Sequence, residues 1–262
     1  MSATQVWYTV ADCRTDLLAL QAKSLRTFNL DPYEFVCLDN STPETPGLAS
    51  EFRQICQAEK IRYVKVPFTV QNRKTANEAH SSALCWAWSE VVQADDPAMA
   101  VIFDFDLFLL APFSVNGWMR GSQVGGWPQG KPPIRYFWPG LLMFHRWNLP
   151  SPETISLDCG QVDGVPVDVG GQLHHYLARH QPDVRTLSSC ARIETPEAMQ
   201  MLPAGSLATY DPAFRVDVFN RHFVHYVGAT GWDYPSVDLR ARKTAWVKAL
   251  VEKCVSGEWR MP

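Results

Sequence analysis

The first hundred residues alternate between short apolar runs and longer amphipathic stretches. The apolar runs have strand length and lie at residues 6–10, 34–38, 62–66 and 100–103. The stretches between them carry apolar residues at helical spacing and predict helices at 15–28, 48–59 and 76–92. Such alternation predicts a mostly parallel sheet with helices on its faces. Right-handed crossovers would bring the carboxyl ends of these strands to one edge.

The pattern changes after Pro112 to loops rich in Gly, Pro and Trp. Strand candidates follow at residues 123–127, 134–144 and 223–227, and helices are predicted at 171–179 and 237–255. No repeat or linker interrupts the chain. We therefore expect one mixed α/β domain over residues 1–262, with a change of character at residue 112.

The composition of the chain argues against some classes of function. The chain has a net charge of -3 and no long basic run, which argues against a nucleic-acid partner. Its most apolar stretch, 98–115, contains aspartates and prolines and does not fit a membrane span. Seven scattered cysteines without C-x-x-C spacing, and no signal-peptide pattern, lead us to expect reduced thiols and a cytoplasmic location. Ten tryptophans suit walls that bind sugar rings.

Two carboxylates, Asp104 and Asp106, directly follow the fourth predicted strand. They should emerge at the sheet edge where open α/β sheets bind ligands. In so apolar a run they would repel each other unless a cation compensates them, and a divalent cation is the natural candidate. The alternative is a pair of solvated turn aspartates.

Residues 101–112, VIFDFDLFLLAP, resemble the metal-binding segment of GT-A glycosyltransferases. The resemblance implies a GT-A fold, with the half at 1–112 binding a nucleotide sugar and the half at 113–262 facing the acceptor. It also implies that Asp106 is a direct metal ligand and that Asp104 contacts the metal or the ribose.

The ends of the first two predicted strands resemble the base- and ribose-binding loops of the same superfamily. The resemblance implies that backbone groups at Val10 and Ala11, next to Asp12, meet the base. It assigns Asp39 to hydrogen bonds with base or ribose, whereas an ordinary polar turn at 39–42 is the alternative.

The segment 72–84, at the start of the third helix, resembles a stretch that lines the nucleotide-sugar pocket. Arg73 is a candidate for the diphosphate because a guanidinium matches phosphate oxygens near a helix N-terminus. His80 is a candidate for the sugar. A surface arginine and a structural histidine are the alternatives.

A C-terminal element resembles H-x-x-G-x-x-K-P-W of glycogenin-like glycosyltransferases. It consists of His225, Gly228, Gly231 and Trp232, and Gly231 stands where that pattern has a lysine. The resemblance implies that His225 is the third metal ligand and that the following loop closes on the diphosphate. Carboxylates with a neutral imidazole favour Mn²⁺, with Mg²⁺ as the alternative. A competing zinc site would combine the histidines 174, 175, 222 and 225.

Asp168 precedes two glycines and a predicted helix, a place where GT-A enzymes carry an acidic residue near the sugar or acceptor. It is a candidate general base for the acceptor hydroxyl, and a helix N-cap is the alternative.

These observations predict a metal-dependent hexosyltransferase that moves a sugar from a nucleotide-sugar donor, UDP-linked in the favoured case, to the hydroxyl of a carbohydrate or glycoconjugate. One alternative is a haloacid-dehalogenase-like phosphatase, because its strand also ends in D-x-D. That motif usually continues with Gly and Thr near the N-terminus, unlike Leu107 and Phe108 here. A non-catalytic carbohydrate-binding protein is the other alternative.

Overall fold

The computed structural model describes residues 5–45, 47–71, 75–188, 190–193, 199–229 and 236–262. Its strands are β1 (Gln5–Ala11), β2 (Tyr33–Asp39), β3 (Arg62–Lys65), β4 (Met99–Phe103), β5 (Leu107–Leu109), β6 (Val124–Gln129), β7 (Tyr136–His145), β8 (Gly160–Val162), β9 (Val165–Val167), β10 (Val184–Thr186), β11 (Cys190–Arg192), β12 (Asp217–Phe219) and β13 (Phe223–His225). Its helices are α1 (Thr15–Phe28), α2 (Leu48–Glu59), α3 (Phe68–Gln71), α4 (Ala76–Trp86), α5 (Gln93–Asp95), α6 (Val115–Met119), α7 (Leu173–His180), α8 (Ala204–Leu207) and α9 (Val237–Val255). A π-helical segment, Ala87–Val92, joins α4 to α5, and short 3-10 turns cover Arg146–Asn148, Pro152–Thr154 and Pro212–Phe214.

The chain forms two compact units. The first comprises residues 1–12, 31–104 and 115–186, and the second comprises 13–30, 105–114 and 187–262. The expectation of one domain whose halves divide at residue 112 stays a prediction.

The first unit is built on a seven-stranded sheet in the order β10-β6-β7-β4-β1-β2-β3. Strands β4, β1, β2 and β3 are parallel, and β7 runs antiparallel to β4 and β6. Every residue of β1 and β4 is buried, as expected for central strands that helices cover on both faces. This mixed sheet with flanking helices confirms the predicted α/β class. The register pairs Ala11 with Asp39, so β1 and β2 end side by side.

The second unit contains the antiparallel sheet β11-β12-β13-β5. Helix α1 is tied to β5 by two side chains whose donors reach strand carbonyls. Gln21 Nε2 donates to the Leu107 carbonyl at 3.0 Å, and Ser24 Oγ donates to the Leu109 carbonyl at 2.6 Å. The sequence did not predict β5, because its three residues continue the apolar run of β4 and carry no alternation of their own.

The predicted bounds of α1, α2 and α9 agree with the structure. The third predicted helix, 76–92, is α-helical only to Trp86 and then π-helical. The predicted strand 223–227 extends too far, because β13 ends at His225 and Val227 has a φ of +37°.

Candidate metal and nucleotide-sugar site

The first aspartate of the site ends the central strand of the first unit. β4 lies between β1 and β7, and the Asp104 N–H continues the ladder by donating to the Gly140 carbonyl at 3.0 Å. The chain then turns, so the half-buried Asp104 side chain stands at the carboxyl end of β4. His80 of α4 lies beside it, with Nε2 3.6 Å from Asp104 Oδ1.

The second aspartate belongs to the second unit, where its main chain and side chain are both held. The Asp106 carbonyl accepts from the Tyr226 N–H at 2.9 Å, and its side chain is almost fully buried at 6% exposure. Its Oδ1 lies 3.4 Å from His225 Nε2, and its Oδ2 accepts from the Ala229 N–H at 3.4 Å. The antiparallel pairing of β5 with β13 sets Leu107 opposite His225 and so brings the aspartate and the histidine together.

The charge state of Asp106 follows from these neighbours. Burial acts to raise the pKa of the carboxyl, but interaction with the His225 imidazole outweighs it, with help from the Ala229 N–H and the Lys243 ammonium. The net effect holds the pKa of Asp106 below its ordinary value, so the carboxylate is ionised at neutral pH.

Asp104, Asp106 and His225 each offer one ligand atom, and these three atoms lie within 4.8 Å of one another. Two carboxylate oxygens and one imidazole nitrogen suit Mn²⁺ and are compatible with Mg²⁺. A divalent cation would also compensate the like charges of the two carboxylates. The donor set therefore fits a divalent cation. In the described ranges no other group of three such side chains occurs, so the four histidines of the zinc alternative do not form one.

A second carboxylate supports His225 from the other side of its ring. Asp217 Oδ2 lies 3.8 Å from His225 Nδ1, and Arg192 pairs with the same carboxylate through Nε at 2.9 Å. Burial acts to raise the pKa of Asp217, but His225 and Arg192 outweigh it and hold that pKa below its usual value. Metal-binding histidines commonly have such a partner, which fixes the ring orientation.

Sequence reasoning missed Asp217, although a signal for it exists. Asn220 and Arg221 have φ values of +48° and +59° and lie in the three-residue loop, 220–222, between β12 and β13. Asparagine in a polar break between apolar residues is an ordinary turn signal. Across that loop Phe219 pairs with Phe223, and two residues further out Asp217 pairs with His225.

Asp168 lies on the surface of the first unit and faces α4. Its Oδ1 accepts from Asn77 Nδ2 at 3.1 Å and from the Val169 N–H at 2.8 Å. Helix α7 begins five residues later at Leu173 with Gln172 as its N-cap, so the alternative that Asp168 caps this helix is wrong.

The carboxyl ends of β1 and β2 are joined by a backbone hydrogen bond. Asn40 N–H donates to the Ala11 carbonyl at 2.7 Å, next to the buried Val10. Beyond it, Asp12 Oδ1 and Asn40 Oδ1 are buried acceptors for which the described part of the chain supplies no hydrogen-bond partner. A ligand with N–H or O–H donors would satisfy them.

Asp39 is fully buried, and its carboxylate is occupied by neighbours in the first unit. Its Oδ1 accepts from the Ser41 N–H at 2.8 Å, its Oδ2 accepts from the Tyr63 hydroxyl at 2.6 Å, and Lys65 Nζ lies 3.3 Å away. This arrangement shapes the loop after β2, and direct contact between Asp39 and a ligand stays a prediction.

The remaining candidates divide between described and undescribed residues. Gly228 is buried with a φ of +75°, next to Ala229 and its bond to Asp106. Arg73, Gly231 and Trp232 lie outside the described residues. No helix in the described ranges is long and apolar enough to cross a membrane.

A mixed seven-stranded sheet with flanking helices and an acidic pair at the end of a central strand has the architecture of a GT-A glycosyltransferase domain. Among solved structures, the chain resembles the galactosyltransferase LgtC in complex with donor and acceptor sugar analogues, with 12% sequence identity and a TM-score of 0.50. An active-site mutant of LgtC gives 13% identity and a TM-score of 0.51, and in both cases the match covers 94% of this chain and 96% of the other. No protein-family description and no curated protein sequence matches this chain. At this identity the likeness shows a shared fold.

Proposed function

We propose that this protein is a metal-dependent glycosyltransferase that moves a hexose from a nucleotide-sugar donor to a hydroxyl of a carbohydrate or glycoconjugate acceptor. The observation that carries the proposal is the group of Asp104, Asp106 and His225 in a fold shared with a galactosyltransferase. The favoured donor is UDP-linked, because the loops after β1 and β2 resemble base- and ribose-binding loops and offer buried hydrogen-bond acceptors. The proposal treats residues 1–262 as one GT-A domain working in the cytoplasm.

The nucleoside would lie against the ends of β1 and β2. The buried acceptors Asp12 Oδ1 and Asn40 Oδ1 support this placement, because base N–H and ribose O–H groups are donors. Backbone groups of Val10 and Ala11 would border the base, and Asp39 would hold the loop in shape.

The diphosphate would meet the acidic pair and the segment that follows His225. Asp104, Asp106 and His225 would hold Mn²⁺ or Mg²⁺, which when bound neutralises the charge that develops on the departing diphosphate. Arg73 would add positive charge to the diphosphate, and Gly228, Gly231 and Trp232 would close over it. Arg73, Gly231 and Trp232 lie outside the described ranges, so their roles are inferred from the sequence pattern.

The sugar and acceptor would lie near α4. His80, 3.6 Å from Asp104, would contact the sugar, and Asp168 would accept the proton of the attacking hydroxyl. Both hydrogen bonds to the Asp168 side chain recorded among the described residues fall on Oδ1, so Oδ2 is the atom assigned to that proton.

An Asp106→Asn variant tests the metal role, with Asp163→Asn as its matched control. Asp163 is exposed in the turn between β8 and β9 at a φ of +49°, which asparagine tolerates well. UDP release from a panel of UDP-sugars is measured with Mn²⁺ and with EDTA. We expect Asp163→Asn to behave as wild type and Asp106→Asn to lose at least about 100-fold of metal-dependent release, a loss typical of removing one preorganised charge-stabilising group.

Equal metal-dependent release in both variants would show that Asp106 is not a ligand. Phosphate release from simple phosphate esters, with no release from nucleotide sugars, would instead support the phosphatase. Binding of sugars with neither activity would support the carbohydrate-binding alternative.

A further inference from the structure

A lysine is buried beneath the segment that follows His225. Lys243 of α9 has no exposed surface, although a lysine is almost never fully buried unless its charge is compensated. Its Nζ donates to the carbonyls of Arg215 at 3.0 Å and Val227 at 2.9 Å and lies 4.5 Å from the centre of the Tyr226 ring. Two carbonyls and an aromatic face together stabilise the ammonium away from water.

Val227, one of these carbonyl partners, has a backbone conformation that its side chain disfavours. Its φ is +37°, and a β-branched residue in this region is a strained outlier. Such conformations persist only where the surroundings hold them, and they concentrate at functional sites. The hydrogen bond from Lys243 is one such constraint.

The strained turn leads directly to Asp106. Tyr226 N–H donates to the Asp106 carbonyl at 2.9 Å, and Ala229 N–H donates to Asp106 Oδ2 at 3.4 Å. Arg240, one turn before Lys243 in α9, donates to the Ala229 carbonyl at 2.8 Å. The backbone from Tyr226 to Ala229 is therefore held by α9 on one side and oriented toward the Asp106 carboxylate on the other.

We propose that Lys243 is a positioning residue: it holds the Val227 turn so that Asp106 and His225 keep the geometry needed to bind a divalent cation. This inference rests on the proposed function for the metal. In this role Lys243 would act through the turn and would not itself contact the cation or the substrate.

The sign of the metal-binding change separates this role from a purely electrostatic one. A buried positive charge near a cation site repels the cation, so removing it without moving the site would strengthen metal binding. Loss of the turn would weaken binding of the cation, because removing a group that orients metal ligands typically lowers metal affinity about 10–100-fold. The two accounts predict opposite results for the same variant.

The test measures the Mn²⁺ dissociation constant by the EPR signal of free Mn²⁺, with no substrate present. Lys243→Met keeps most of the length of the unbranched side chain and removes its charge and donors, and Lys243→Gln keeps a neutral N–H donor. Lys248→Met is the control, since Lys248 lies on the same helix, is 37% exposed and pairs with Asp16. A double variant combines Lys243→Met with Val227→Gly, because glycine adopts positive φ without strain.

We expect Mn²⁺ binding to weaken about tenfold or more in Lys243→Met and less in Lys243→Gln, and to change less than about twofold in Lys248→Met. The double variant should recover part of the loss. Unchanged or tighter binding in Lys243→Met would overturn the inference. Failure of both neutral Lys243 variants to fold in EDTA would also overturn it, because the lysine would then be required by the fold rather than by the site.

Mn²⁺ binding by the wild type distinguishes failure of this inference from failure of the proposed function on which it rests. If the wild type binds no Mn²⁺, the metal-dependent function fails and this role for Lys243 falls with it. If the wild type binds Mn²⁺ and Lys243→Met binds equally well, only the role of Lys243 is wrong.

Discussion

Replacement of Asp217 should weaken metal binding far more than it weakens the fold. Asp217 lies opposite His225 in the β12–β13 hairpin, with Oδ2 3.8 Å from the ring Nδ1. Loss of such a supporting carboxylate typically costs about 10–100-fold in metal affinity, or about 1.4–2.7 kcal/mol. The structural cost should be smaller. Its ion pair with Arg192, whose side chain is 42% exposed, is worth only about 0.2–1 kcal/mol because water screens it.

The assay compares the Mn²⁺ dissociation constant with the free energy of unfolding in EDTA. Asp217→Asn keeps an oxygen that can accept from the His225 ring, whereas Asp217→Ala removes it. We expect Mn²⁺ affinity to fall about tenfold or more in Asp217→Ala and less in Asp217→Asn, with unfolding in EDTA changed by about 1 kcal/mol or less in Asp217→Asn. Arg192→Met is the control, because it removes the ion pair and leaves the carboxylate beside His225.

Two results would refute this reasoning. Wild-type Mn²⁺ affinity in Asp217→Ala would mean that the carboxylate does not orient His225. An equal loss in Arg192→Met would mean that the ion pair, rather than contact with the imidazole, maintains the site.

Other parts of the structure make separate predictions. Asp39→Ala leaves the Ser41 N–H and the Tyr63 hydroxyl without their acceptor, so urea unfolding should show a loss of about 2–4 kcal/mol; a loss below about 0.5 kcal/mol would contradict the assigned network. Burial and Glu153 raise the pKa of Tyr176 from 10.0 to about 12. The stability that this shift contributes to the fold is fully present below pH 10 and is lost as the pH rises from 10 to 12. Stability of the wild type should therefore fall more steeply over this window than that of Tyr176→Phe, by up to about 1.4 kcal/mol per pH unit, and parallel pH curves would contradict the assignment. Cys13 is the exposed thiol, so Cys13→Ser should abolish the fastest phase of labelling by an aromatic disulfide reagent, and a surviving fast phase would count against it.

The parts of the fold that the sequence predicted are those with a strong local period. In α1, buried leucines recur at 17, 18 and 25, and the helix has the predicted bounds. Strands β1 and β4 are buried along their whole length, so both were visible as mainly apolar runs. Such elements depend little on distant partners.

The missed parts depend on pairing between distant segments. The three residues of β5 become a strand only because β13, more than a hundred residues later, pairs with them. We predicted a strand through Val227 because valine favours β-structure. In the structure the backbone turns there, beside Asp106, and Val227 has a positive φ. Local preference was overridden there by the contacts of the site.

The candidate site was likewise predicted only in part from local sequence patterns. Asp104 and Asp106 could be placed from the apolar strand before them, and His225 from a resemblance in the C-terminal element. The contacts of Asp217 with His225 and of Lys243 with Val227 were not predicted, because neither Asp217 nor Lys243 lies in a recognised motif. The Lys243 contact is made from a separate helix and lies outside a local sequence window, whereas Asp217 reaches His225 within the β12–β13 hairpin.

The central claim is that a divalent cation and a nucleoside diphosphate bind together at Asp106. Thermal unfolding of the wild type with UDP, with Mn²⁺ and with both ligands tests it most directly, beside Asp106→Asn. A ligand present at about 100 times its Kd stabilises the folded state by about 2.7 kcal/mol, which corresponds to an upward shift in Tm of roughly 5–10 °C for a chain of this size. The account predicts such a shift for wild type only when UDP and Mn²⁺ are both present, and its loss in Asp106→Asn. A shift with UDP that is equal in Mn²⁺ and EDTA, or that survives in Asp106→Asn, would contradict it.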